Sequence, residues 1–109
     1  MIQIINLQQL QDSINTRNPI LVYFSGENCG VCKVLKPKIE EEIKKAFPKF
    51  ELFEIKTDIY FELTAQYMIF SIPTTIIYFD KKEFKRYGRN MNMATFLEEI
   101  KRPYSLMCE

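Results

Sequence analysis

The sequence predicts an α/β fold in which helices pack on a mixed β-sheet. Apolar runs of strand length alternate with segments whose apolar residues recur at helical spacing. A strand, a helix and a second strand in that order form a right-handed crossover with parallel strands in nearly all known proteins. Only a short polar link separates the last two strands, which is typical of an antiparallel hairpin. A sheet with both kinds of pairing is mixed.

Size and composition predict one domain over residues 1–109. A chain of 109 residues, 47% of them hydrophobic, can bury one core and is too short for two. Its formal net charge of +1 argues against nucleic acid or an anionic membrane as the partner. No apolar run approaches the roughly 18 residues of a membrane span. We expect a cytoplasmic protein, although a protein whose signal peptide had been removed would show the same pattern.

A short helix and a buried strand come first. Asn6 and Gln9 fit a capping box, and Asn18-Pro19 is a signal that ends the helix. Residues 20–24 are all apolar, which predicts a strand buried on both faces. The helix between these signals has one apolar face, formed by Leu7, Leu10 and Ile14.

A long helix follows the first strand. Apolar residues recur at intervals of four from Val31 to Phe47, which predicts one buried face. Pro37 lies within this segment and predicts a kink, and Pro48 ends the helix.

The remaining elements complete the sheet. Residues 52–56 read as a strand, and Asp58 is placed to cap a short helix that runs to Tyr67. Residues 74–79 and 83–87 read as the two strands of the hairpin.

A last helix is expected to end at Pro103, with residues 104–109 as a loose tail. Cys108 would then be a spectator thiol, with a redox switch or an intermolecular disulfide as the alternative. The apolar face of this helix holds Met93, Phe96, Leu97 and Ile100.

The pair Cys29 and Cys32 is the clearest chemical signal. It follows a buried strand and begins a helix, so free N–H groups and the positive end of the helix dipole favour the Cys29 thiolate. Lys33 and Lys36 add positive charge nearby. Cys32 lies one turn further along the helix, where it can attack a mixed disulfide formed on Cys29. The spacing therefore permits a dithiol–disulfide cycle.

A structural metal site is the competing explanation for such a pair. Zinc in such sites normally takes four Cys or His ligands. The chain has no histidine, and Cys108 is the one further cysteine. We therefore expect no metal and no bound cofactor.

Three separated segments carry a family resemblance. Cys29-Gly30-Val31-Cys32-Lys33 is similar to an active-site helix, Ile72-Pro73-Thr74 to a cis-proline segment, and Gly88 to a glycine that borders a substrate groove. Together with the order of elements, they resemble the thioredoxin family over nearly the whole chain.

The resemblance implies a three-layer α/β/α sandwich and a monomeric thiol-disulfide oxidoreductase that reduces protein disulfides. Cys29 would be the nucleophile and Cys32 the resolving thiol, with Gly30, Val31 and a cis Pro73 supporting them. Its partners would be disulfide-containing proteins and a reductase-like electron donor. The expected substrate groove comprises Asn28, Phe70, Ile72, Gly88 and Met91.

Departures from the family pattern fall at positions that tune its chemistry. Asn28 stands where tryptophan is usual, and Val31 where thioredoxins have proline. Tyr23 stands where the family often buries an aspartate, and Glu54 where its lysine partner sits. We hypothesise that Glu54 supplies the carboxylate, with a pKa raised by burial and the Tyr23 hydroxyl as its hydrogen-bond partner. The alternative is that Tyr23 is core and Glu54 reaches solvent.

Two further interpretations of the whole protein stay open at this point. One is a thioredoxin-like binding or adaptor module without turnover, and the other is an exported oxidant or isomerase. At the level of single residues, Phe70 is either groove surface or packed core.

Overall fold

The computed structural model describes residues 1–108, and this part of the chain forms a sandwich around one mixed sheet. The strands run in the order β1-β3-β2-β4-β5. β1, β3 and β2 are parallel neighbours, whereas β4 pairs antiparallel with both β2 and β5. The elements are β1 (Ile2–Gln3), α1 (Leu7–Ile14), β2 (Ile20–Ser25), α2 (Gly30–Ala46), β3 (Glu51–Lys56), α3 (Phe61–Gln66), β4 (Thr74–Phe79), β5 (Lys82–Tyr87) and α4 (Met93–Cys108).

The two faces of the sheet bury separate apolar clusters, because alternate residues of a strand point to opposite faces. Leu21 and Tyr23 of β2 join the cluster formed with α2 and α4. Ile20, Val22 and Phe24 join the cluster formed with α1 and α3. Helices thus cover both faces of a mixed sheet, which confirms the predicted α/β/α sandwich.

The start of the chain adds a strand that the sequence did not predict. β1 pairs with β3 through Ile2 opposite Phe53 and Gln3 opposite Glu54. Two residues are too short for the alternation that identifies a strand. The strand is followed by the predicted helix, whose Asn6 side chain accepts the N–H of Gln9 at 2.8 Å.

The prediction that Asp58 caps the short helix is wrong. α3 begins at Phe61, and its N-cap residue Tyr60 makes no side-chain capping bond. Asp58 Oδ2 instead accepts the backbone N–H of Glu27 at 3.4 Å, in the loop after β2. The carboxylate thus contacts the segment that leads to Cys29.

The predicted hairpin is confirmed, with a tighter turn than expected. Asp80 and Lys81 form the two-residue link between β4 and β5, and both have positive φ, 51° and 71°. Positive φ at both central positions matches the right-handed twist of the flanking strands.

The predicted loose tail is wrong for residues 104–108, and Glu109 lies outside the described residues. α4 continues through Pro103 to Cys108. Tyr104 packs with its ring centroid 4.8 Å from that of Phe47 and stacks on Phe50 at 5.8 Å. Its hydroxyl also accepts the backbone N–H of Lys49 at 3.0 Å. These contacts offset the hydrogen bond that a proline removes from a helix.

Within residues 1–108, no helix is both long and apolar enough to cross a membrane.

Thr75 in β4 gives a stability prediction, because its buried hydroxyl has no hydrogen-bond partner among the described residues. Thr75→Val removes this unpaired group while keeping the shape, so we expect the free energy of unfolding to rise by about 1 kcal/mol. Thr74→Val is the matched control, because the Thr74 hydroxyl donates to the Ser71 carbonyl at 2.7 Å. Urea unfolding should show opposite signs for the two variants, and a loss of stability in Thr75→Val would contradict the argument.

Candidate redox site

Cys29 and Cys32 form a disulfide at the N-terminus of α2, with their Cα atoms 5.2 Å apart. Cys29 is the N-cap residue of this 17-residue helix, and its Sγ accepts the backbone N–H of Cys32 at 3.2 Å. The sulfur therefore lies where unpaired N–H groups and the helix dipole favour negative charge.

The two cysteines differ in their exposure to solvent. Cys29 is 8% exposed and Cys32 only 2%. The neighbouring residues Asn28, Gly30 and Val31 are all exposed. A second molecule that approaches this end of α2 therefore meets Cys29 first.

The loop before Cys29 packs closely on the segment that contains Pro73. A Cβ at Gly26 would lie 2.9 Å from Ile72 Cδ1, which is closer than real Cβ contacts allow. A side chain at this position would therefore have to displace the end of the Ile72 side chain, so the two segments lie in close contact. The Ile72–Pro73 peptide bond is cis, as the family resemblance implied.

Two arginines that were not predicted as site residues donate hydrogen bonds to backbone carbonyls upstream of Pro73. Arg86 donates to the carbonyls of Tyr67 and Met68 at 2.7 and 3.2 Å. Arg89 Nη2 donates to the carbonyl of Ile72 at 3.1 Å. These hydrogen bonds join residues that are 17 to 19 positions apart in the chain. No local sequence pattern could therefore predict them.

The predicted groove residues are distributed unevenly. Phe70 is 91% exposed, so the alternative that it packs in the core is wrong. Ile72 and Met91 are half-buried against the α2 and α4 cluster that contains both cysteines. Gly88 is exposed, and its carbonyl accepts the Met91 N–H at 3.3 Å. Their role in binding a substrate stays a prediction.

Glu54 is the charged centre of the site. Only 1% of its side chain is exposed, yet three groups donate to the carboxylate: Lys36 Nζ at 2.7 Å, Ser25 Oγ at 2.7 Å and Gln3 Nε2 at 2.6 Å. Lys56 Nζ lies 3.5 Å from its second oxygen. Burial alone would raise the pKa of Glu54, but the hydrogen bonds from Lys36, Ser25 and Gln3 outweigh burial and lower its pKa to about 2.

Two parts of the hypothesis about Glu54 are therefore wrong. Its pKa is lowered rather than raised, and Tyr23 is not its hydrogen-bond partner. The Tyr23 hydroxyl donates to the Cys32 carbonyl at 2.8 Å, and burial together with the nearby Glu54 charge raises the pKa of Tyr23. The alternative is right for Tyr23, which is core, and wrong for Glu54, which does not reach solvent.

A small cavity joins this charged cluster to the resolving cysteine. Its volume is about 190 Å³. Three lysines line it beside a single carboxylate, which gives the lining a formal charge of +2, and two of these lysines contact Glu54. The lining residues are Ser25, Gly26, Cys32, Lys33, Lys36, Glu54 and Lys56.

Comparison with known proteins agrees with this geometry. The family model described as Thioredoxin matches residues 1–102. The chain belongs to the thioredoxin family. It is 33% identical to thioredoxin from Chlamydia trachomatis over 86 residues, which cover 79% of this chain and 82% of that protein. It is 25% identical to the thioredoxin-like protein YdfQ of Bacillus subtilis over 101 residues, 93% of this chain and 89% of that protein.

The structural comparison gives the same fold. The X-ray structure of Fasciola hepatica thioredoxin superposes with a TM-score of 0.81 and 28% identity, and the match covers 94% of this chain and 98% of that one. Membership of the thioredoxin family and the Cys29–Cys32 disulfide indicate thiol-disulfide oxidoreductase chemistry in general.

The third cysteine of this thioredoxin-family chain lies at the end of α4. Cys108 is a free, half-buried thiol, and burial raises its pKa despite the nearby charge of Lys49. A raised pKa lowers its thiolate fraction and hence its reactivity. In the described part of the chain, no group of three or more His, Cys, Asp or Glu side chains could hold a metal.

The ionised state of Glu54 gives a pH prediction. Its folded pKa of about 2 lies below the ordinary value of 4.5, so its contribution to stability is full above about pH 5 and is lost as pH falls toward 2. Glu54→Gln should lower the free energy of unfolding at pH 7 by about 2 to 3 kcal/mol, and the difference from the wild type should shrink between pH 5 and pH 2.

Denaturant unfolding across this pH range measures the effect. Glu41→Gln is the control, because Glu41 is an exposed residue of α2. A Glu54→Gln difference that stays constant down to pH 2 would contradict the assignment.

Proposed function

We propose that this protein is a thiol-disulfide oxidoreductase that reduces disulfides in other proteins through Cys29 and Cys32. The observation that carries the proposal is the disulfide itself, at the accessible N-terminus of α2 and beside the cis-proline segment. A redox-active pair needs a helix N-terminus that favours the thiolate and an open approach for a second molecule, and this pair has both.

The reaction has two exchange steps. The Cys29 thiolate attacks one sulfur of the substrate disulfide, a bond forms between them, and the other substrate sulfur leaves as a thiolate. The Cys32 thiolate then attacks Cys29 Sγ, which releases the second substrate sulfur and forms the Cys29–Cys32 disulfide. Two electrons pass from the protein to its substrate, so an external reductase must restore the dithiol.

Positive charge, rather than a carboxylate base, supports the second step. A carboxylate with a pKa of about 2 is a poor proton acceptor near neutral pH. Glu54 instead orders Lys36 and Lys56 at the cavity that Cys32 lines. The net positive charge stabilises the Cys32 thiolate, and proton release to solvent can follow through the same cavity.

The proposal includes a setting and partners. A free Cys108 thiol is expected in a reducing compartment, which supports a cytoplasmic location. Electron supply from a thioredoxin-reductase-like donor, protein disulfides as substrates and action as a monomer belong to the same proposal. The similarity to the Chlamydia trachomatis thioredoxin over most of both chains supports it.

Three single cysteine variants test the function through the reduction of insulin disulfides by dithiothreitol. We expect Cys29→Ser to fall to the uncatalysed rate. With pre-reduced protein and no dithiothreitol present, we expect Cys32→Ser to accumulate a mixed disulfide between Cys29 and the substrate, visible by mass spectrometry, because no thiol is left to resolve it. Cys108→Ser should keep the wild-type rate.

A different pattern would contradict the proposal. If the wild-type protein does not accelerate the reaction and Cys32→Ser traps nothing, the protein is a binding module without turnover.

A further inference from the structure

α2 carries a second apolar stripe in addition to its core face. Its core face buries Cys32, Ile39 and Ile43. Val31 and Val34 are 41% and 58% exposed, although the sequence placed Val31 in the row that enters the core. Residues three, four and seven apart share one helical face, so Val31, Val34 and Lys38 form an exposed stripe, and the half-buried Leu35 lies beside it against the core.

This stripe forms one wall of a groove, and Arg89 forms the other. The groove has a volume of about 330 Å³. It begins at Gly30 and Val31, between the two cysteines, and is therefore continuous with the redox site. The groove residues are Gly30, Val31, Val34, Leu35, Lys38 and Arg89.

The charge of the groove is one-sided. Lys38 and Arg89 are both exposed, and no carboxylate lines the groove. Neither cation forms an ion pair with any described residue, whereas Lys36, Lys85 and Arg86 each pair with a glutamate. The hydrogen bond from Arg89 to the Ile72 carbonyl holds its guanidinium beside the cis-proline segment.

We propose that this groove binds the segment of a protein substrate that flanks its target disulfide, and that it selects an apolar side chain followed by an acidic one. The inference rests on the proposed function and names the substrate class of the same site. The apolar side chain packs on Val31 and Val34, and the carboxylate meets Arg89 and Lys38.

Geometry limits where the acidic residue can stand. Val31 and Lys38 are seven residues apart on α2, a separation of about 10 Å along the helix axis. An extended peptide covers that distance in about three residues. The acidic residue should therefore lie within about three positions of the cysteine that reacts with Cys29.

Three disulfide-linked peptides test the selection. They carry a leucine next to the reactive cysteine and differ only at the third position, which is Asp, Asn or Lys. We expect the wild-type kcat/KM to fall in that order, by about two- to fivefold for each step, because exposed charge pairs contribute modestly. Salt at about 0.5 M should reduce the differences.

Variants of the two cations separate this groove from a general charge effect. The double variant Lys38→Glu with Arg89→Glu should have a higher kcat/KM for the Lys peptide than for the Asp peptide. Arg89→Gln should keep the wild-type order but reduce the ratio of the two kcat/KM values. The control is Lys45→Glu with Lys82→Glu, which makes the same change in net charge at two other exposed positions and should keep the wild-type order.

The outcomes distinguish the two proposals. If the wild-type protein reduces a small uncharged disulfide and all three peptides equally well, the groove proposal is overturned and the proposed function stands. The same holds if the control variant loses the preference as fully as the groove variant. If the wild-type protein reduces none of the four compounds, the proposed function fails and the groove proposal fails with it.

Discussion

The ionised carboxylate of Glu54 is the interaction on which the arrangement of the site depends. It extends from β3 and accepts hydrogen bonds from Gln3 of β1, Ser25 of β2 and Lys36 of α2. A buried charge is tolerable only when its hydrogen-bonding capacity is used, so these elements must keep their relative positions while the carboxylate stays ionised. One side chain thereby fixes the first strand, the strand that precedes Cys29 and the helix that contains Cys32.

In the proposed mechanism, the same cluster acts on the redox pair. Lysines line the same cavity as Cys32, and Cys29 is the N-cap residue of α2, so we expect positive potential at both cysteines. Tyr23 helps to position Cys32, because its hydroxyl donates a hydrogen bond to the Cys32 carbonyl. The protein thus places an ion cluster where the resemblance led us to expect a proton acceptor. Tyr23 and Glu54 stand where the family often has an aspartate and a lysine. A charged group still lies near the resolving cysteine, but it provides an ion cluster rather than a proton acceptor.

The sequence was sufficient for features that depend on long patterns or on paired signals. The mixed sheet, the hairpin and the position of Cys29 at a helix start were predicted from the sequence pattern and are present. The cis Pro73, which the family resemblance implied, is present as well. It failed where a distant contact overrides a local rule. Pro103 does not end α4, because Tyr104 packs on two phenylalanines from another part of the chain. The ionisation of Glu54 likewise depends on donors 51, 29 and 18 residues away along the chain.

The measurement that tests the account most directly is the pH dependence of Cys32 alkylation in a background of Cys29→Ser and Cys108→Ser. Adding Lys36→Met removes a positive charge from the cluster, so the pH midpoint of alkylation should rise. Adding Glu54→Gln removes the negative charge, so the midpoint should stay or fall. Lys44→Met, an exposed position near the other end of α2, should leave it unchanged. An unchanged midpoint in Lys36→Met, or a higher midpoint in Glu54→Gln, would contradict the proposal that lysine charge stabilises the Cys32 thiolate.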